Sequence, residues 1–170
     1  MKFQNSISPI FLILLVLGPS TCRAQNDKKS VPDDFKVSAQ FYPGYSTWKA
    51  WKTTITATGE VTQGVLNDKT VEFDAKRLRP LATQELADLI MKVKRNGFFR
   101  LRKRYDFPVE DNPTLVLMVS MDGQSREVAV FAPSEQMDNE EVKRFLTVWV
   151  DVLKKVPSPN PDQKPEDYEP

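Results

Sequence analysis

Histidine is absent from this chain of 170 residues, and cysteine occurs once, at position 22. The first absence excludes imidazole catalysis, any Ser-His-Asp or Cys-His arrangement and any His-ligated metal. The second excludes a disulfide within the chain. An excess of charge is lacking too, since 24 Lys+Arg stand against 23 Asp+Glu. Such a balance supplies no general pull toward nucleic acid or anionic membrane. No acidic loop has calcium-binding spacing, so neither a metal nor a cofactor is expected. Long apolar runs are scarce. The clearest, residues 10–17 (IFLILLVL), is shorter than the roughly 20 residues a spanning helix needs, so no membrane span is expected.

That short run has a different meaning. Lys2 precedes it, Gly18 and Pro19 break it, and small residues follow toward Ala24. This is the layout of a secretory signal peptide over residues 1–24, cleaved after Ala24, which places the mature chain in the periplasm or outside the cell. Cys22 raises the rival of a lipoprotein anchor, although Pro19 is a poor residue three positions before such a cysteine. Residues 1–24 carry two basic groups and no acidic one, so their removal leaves 146 residues and turns the net charge from +1 to −1. A domain of that size buries about 70% of its unfolded surface and has no need of disulfides.

Both ends of the mature chain read as unstructured. Residues 25–34 are polar and charged, a disordered linker. Residues 156–170 (VPSPNPDQKPEDYEP) hold five prolines, so an extended, solvated tail is expected. One domain remains, residues 35–155.

Its last third reads most plainly. Leu115, Leu117, Val119 and Met121 alternate along a strand, Asp122-Gly123 supplies a two-residue turn, and Val128 and Val130 continue on the return. That loop length sets Leu117 opposite Val128 and Leu115 opposite Val130, while Ser120, Ser125 and Glu127 fall mainly to the other face. A helix follows with Asp138 as N-cap and Glu141 in its first turn. Val142, Phe145, Leu146, Trp149, Val152, Leu153 and Val156 form its apolar stripe until Pro157 ends it. Trp149 lies on that stripe and reads as core.

An earlier helix is capped by Thr83, buries Leu86, Leu89, Ile90 and Val93, and ends at Asn96-Gly97. The first half is strand-rich: 35–42, 51–58, 61–66 beyond a turn at Gly59, and a short strand over 70–73. The pattern predicts an α+β domain. It has an antiparallel sheet of two strand-rich halves and two helices on one face, in strand-strand-helix-strand-strand-helix order.

Trp51, Ile55, Gly59 and Val61 match a Tyr-x-x-x-Ile strand, Gly turn and Val, with Trp in place of Tyr. Phe98-Phe99, Leu101 and Tyr105 follow the helix, and Asp111, Pro113 and Thr114 precede the hairpin. In this order of features the chain resembles an exported bacterial domain family of unknown function. That family's cysteine pair falls near Gly44 and Trp48 and is missing here, so any role of those cysteines is missing too. The resemblance implies the fold and export, and no mechanism.

Four clusters compete as sites. Ser46-Thr47-Trp48-Lys49 matches the Ser-x-x-Lys of penicillin-recognising acyl enzymes. It follows Pro43-Gly44 rather than opening a helix, and the companion motifs are missing, which makes chance the preferred reading. Glu110-Asp111 are adjacent carboxylates, whereas hydrolytic pairs sit on separate elements, so Asp111 is read as bonding its own turn.

Lys92, Lys94, Arg95, Arg100, Arg102, Lys103 and Arg104 form a basic segment interleaved with Phe98, Phe99 and Tyr105. It suits a polyanion, of which Arg100, Arg102, Lys103 and Arg104 are the core, or is simply a solvated helix end. Phe41, Tyr42, Tyr45, Trp48 and Trp51 are the favoured cluster. Pro43-Gly44 turns the chain so that Phe41 and Trp51 point inward while Tyr45 and Trp48 sit on a loop, with Tyr42 nearby. An exposed aromatic loop suits a glycan or an envelope protein, and the alternative is that all five rings simply pack in the core or on the sheet face. The expected function is a non-enzymatic binding or protein-interaction domain of the bacterial cell envelope. The alternative is a small envelope hydrolase or transferase using carboxylates or the Ser/Lys pair.

Overall fold

A computed structural model describes residues 31–170. The expected signal segment, Cys22 and residues 25–30 lie outside the described residues. Among the described residues seven strands and two α-helices occur in the order β1 (Lys36–Tyr42), β2 (Trp51–Thr56), β3 (Val61–Asn67), β4 (Glu72–Arg77), α1 (Thr83–Arg95), β5 (Arg104–Tyr105), β6 (Thr114–Met121), β7 (Gln124–Phe131) and α2 (Glu140–Lys155). They form one sheet with spatial order β4-β3-β2-β1-β6-β7-β5. Every pairing is antiparallel except β5 with β7.

The α+β class is as expected, but the order differs. Four strands precede the first helix, because the segment after β3 returns as a full edge strand. The expected strand over 70–73 begins later, at Glu72, and runs to Arg77. Glu72, Asp74, Lys76 and Arg77 keep this edge exposed and charged, which discourages pairing with another chain.

Register explains the core. Val37, Ala39 and Phe41 lie opposite Ile55, Thr53 and Trp51 on one side, and opposite Val119, Leu117 and Leu115 on the other. In the hairpin Leu117 faces Val128 and Leu115 faces Val130, as the two-residue turn dictates, with Asp122 and Gly123 both at positive φ. These side chains share one core cluster with Leu89, Ile90 and Val93 of α1 and Phe145, Trp149 and Leu153 of α2. Burying each such side chain contributes about 1.5–3 kcal/mol.

Helix ends depart from expectation in detail. The α2 N-cap is Asn139 rather than Asp138: its Oδ1 accepts from the backbone N–H of Glu141 at 3.0 Å and of Val142 at 3.3 Å. Thr83 is the first residue of α1 and not its cap. Ala82 stands at that position, and Glu85 reaches back to accept from its N–H at 2.7 Å.

Neither end of the described chain is loose. Residues 31–34, expected as linker, are attached: Val31 packs on the core, and the Asp34 carboxylate accepts from the N–H groups of Asp122 (3.0 Å) and Gly123 (2.7 Å). The expected solvated tail is corrected as well. Asn160, Gln163 and Tyr168 are buried at 7%, 4% and 5% exposure, and the segment ends in a single 3-10 turn, Pro165–Tyr168. The prolines of the tail shape a packed strap because its few side-chain amides and one tyrosine find partners on the body.

Candidate functional site

The loop between β1 and β2 is built by two constraints. Gly44 has φ +21, and a Cβ there would lie 2.5 Å from the Asp111 carbonyl oxygen, so only glycine lets the two loops cross. Beyond it the Tyr45 N–H donates to that same Asp111 carbonyl at 3.0 Å. Ser46 Oγ accepts from the Trp48 N–H at 3.1 Å, closing a small turn.

This geometry sorts the five aromatics. Phe41 and Trp51 are fully buried and stacked with centroids 6.1 Å apart. The stack continues inward from Trp51 to Trp149 at 5.5 Å and on to Phe145 at 6.3 Å. Trp48, expected on the loop with Tyr45, is half-buried and tilted against Phe41 at 5.8 Å, because the Ser46 turn folds it back. Tyr45 is 88% exposed and Tyr42 40% exposed.

Tyr42 belongs to the sheet face opposite the core. Across that face it lies beside Thr114, which lies beside Phe131, while Gln40, Val116 and Ala129 form the next row. All six alternate with core residues, and apart from exposed Tyr42 they are half-buried. The Tyr42 hydroxyl donates to Gln40 Oε1 at 2.9 Å. The candidate surface is therefore Tyr45, Tyr42 and the strip Thr114, Val116 and Phe131. Sequence reasoning missed the strip. Its signal was available in Val116 and Phe131, apolar residues on the side of the hairpin otherwise marked by serines and Glu127.

The other clusters are placed as follows. Ser46 lies in a loop, its Oγ engaged by backbone, and the main-chain N–H and C=O of Lys49 both pair with the Asn160 amide at 3.1 and 3.0 Å. Asp111 sits at positive φ, and the turn is organised by Asn112, whose Nδ2 donates to the Glu110 carbonyl at 2.9 Å. Asp111 thus contributes its carbonyl rather than the side-chain bond expected of it.

The basic segment is partly neutralised. Arg102 pairs with Glu141 at 3.1 Å and lies 4.7 Å over the Tyr105 ring, while Arg104 pairs with Asp106 at 2.6 Å. Tyr105 donates from its hydroxyl to Glu141 at 3.0 Å. Burial pushes the Tyr105 phenol up, and that hydrogen bond is the main cause holding the Glu141 carboxyl down. Arg100 lies against Gly97, and Arg100 and Lys103 form no ion pair among the described residues. Arg126, on β7, donates to the Leu101 carbonyl and closes the segment onto the sheet. Among the described residues no three acidic or cysteine side chains converge as a metal site would need, and no helix is long and apolar enough to cross a membrane.

These features define a single-sheet α+β domain with helices on one face. Neither the models of known protein families nor the curated proteins compared with this chain give a match.

Proposed function

We propose that this chain is a non-enzymatic binding domain exported to the bacterial cell envelope, contacting an envelope protein or glycan through Tyr45, Tyr42 and the adjoining sheet strip. One observation carries this reading: Tyr45 is 88% exposed on a loop that its own N–H pins to the Asp111 carbonyl, and Tyr42, at the end of β1, is exposed as well. A positioned aromatic ring offers large contact area at small entropic cost. The signal-peptide layout and the family resemblance support export. No observation favours the hydrolase or transferase reading, since Ser46, Glu110 and Asp111 are engaged in loop and turn geometry.

The test is capture from envelope extract by residues 25–170, with a Tyr42→Ala, Tyr45→Ala variant checked by circular dichroism. A component held by the wild type and lost by the folded variant supports the reading. Equal capture by both removes the tyrosines, and no capture by either rejects the binding domain.

A further inference from the structure

The core face of β2 and β3 carries a pair that does not belong in an apolar core. Thr53 and Gln63 lie opposite each other there and are buried. Gln63 Nε2 donates to Thr53 Oγ1 at 3.1 Å and to the Pro157 carbonyl at 2.9 Å. Beside them the buried Trp51 Nε1–H donates to Gln163 Oε1 at 2.8 Å, and Gln163 Nε2 donates to the Tyr168 hydroxyl at 2.8 Å. The Asn160 amide reads both main-chain groups of Lys49, and the Tyr168 ring meets Trp149 edge-on at 6.2 Å. Residues 157–170 thus lie in a cleft whose walls present a carboxamide, an indole N–H, a free stretch of backbone and an aromatic ring. These are the parts of a peptide-recognition site.

The way the strap is held is unlike the rest of the fold. Among the described residues, every hydrogen bond between residues 157–170 and the body involves a side chain, and the strap's backbone-to-backbone bonds run only within itself. It therefore leaves without opening a rung of the sheet ladder. Tyr168 is its one buried aromatic residue. Pro157, Pro159, Pro161 and Pro165 restrict the free strap and lower the entropy lost when it docks.

We infer that residues 157–170 are a releasable intramolecular ligand, and that the cleft beneath accepts in their place a proline-rich peptide of another protein carrying Asn, Gln and Tyr at the strap's spacing. The surface is distinct from the tyrosine strip, so either reading stands if the other fails. In the wild-type chain, the Trp51 indole N–H should be at least tenfold less protected from hydrogen exchange, each group measured against its own intrinsic rate, than the Leu117 and Val128 amides. Protection equal to that of those core amides would show that the strap opens only on global unfolding and would overturn the inference.

The probe for the cleft is a labelled synthetic peptide of residues 156–170. It should bind a full-chain Gln163→Ala, Tyr168→Ala variant at least tenfold more tightly than the wild type, whose own strap competes. The same peptide carrying both substitutions should not bind. Equal affinity of the two chains, or equal binding of the two peptides, would overturn the proposal. Should the variant fail to fold, competition on the wild-type chain decides: the native peptide speeds Trp51 indole exchange and the substituted peptide does not, and equal effects refute the site.

Discussion

Alkaline pH should loosen the strap through Tyr168. Burial against Trp149 pushes its phenol up to about 12, with the neighbouring Asp167 carboxylate adding to the rise and the Gln163 hydrogen bond opposing it. In the unfolded chain a tyrosine titrates near pH ~10. The folded state therefore holds this proton more tightly. Its contribution to stability is whole below pH ~10 and is lost as the pH rises from there through about 12. Two units correspond to about 2.7 kcal/mol at most, of which about 2 kcal/mol is lost by pH ~12.

The assay is urea unfolding of the wild type and of Tyr168→Phe at pH ~9 and pH ~12, together with the tyrosinate absorbance titration of each. Lys154, paired with Glu169 at 2.7 Å, titrates in both proteins and cancels in the comparison. The wild type should lose about 2 kcal/mol more than Tyr168→Phe over that interval. A wild-type minus variant absorbance curve with its step near pH ~10, or equal losses of stability, would refute the argument.

Three further outcomes are expected. Trp51→Phe should destabilise by about 1 kcal/mol more than Trp149→Phe in denaturant melts, because Trp51 Nε1–H is paired to Gln163 whereas Trp149 Nε1 has no partner among the described residues. Asn139→Ala should cost about 1 kcal/mol and Asp138→Ala less than about 0.5 kcal/mol by thermal unfolding, since only Asn139 caps α2. Gly59→Ala should cost more than about 2 kcal/mol, or prevent folding, because φ is +81 and the new Cβ would lie 2.4 Å from the Leu81 carbonyl oxygen; an unchanged melting temperature would contradict this.

Legibility followed the kind of force at work. The β6–β7 hairpin was readable because a two-residue Asp-Gly turn and period-2 alternation together leave one register, and a slip by one residue would expose every core side chain. The α2 stripe was readable for the same reason at period 3.6. Its cap was misplaced by one residue, since Asp138 and Asn139 are both good cap formers and the choice depends on where the preceding chain enters. The inward turn of Phe41 and Trp51 followed from strand alternation. The half-burial of Trp48 did not, because a side-chain bond from Ser46 inside an irregular loop sets it. The β4 edge was seen only in part, as its charged residues look like loop until the β3 ladder is there to pair with them.

Much of the local order in this protein was determined by the sequence alone: the β6–β7 hairpin, the two long helices, which of their faces are apolar, and the absence of imidazole chemistry and of a disulfide within the chain. Those properties depend on neighbours a few residues away. The tertiary structure decided what depends on distant partners. Gln163 meets Trp51 and Asn160 meets Lys49 across more than a hundred residues, and neither pairing leaves a periodic trace in a proline-rich segment. The strip beside Tyr42 likewise exists only once β1, β6 and β7 lie side by side. A tail rich in proline reads as solvated until the body presents buried polar groups that need it, and only the folded sheet brings Thr53, Gln63 and the Trp51 indole together to do so.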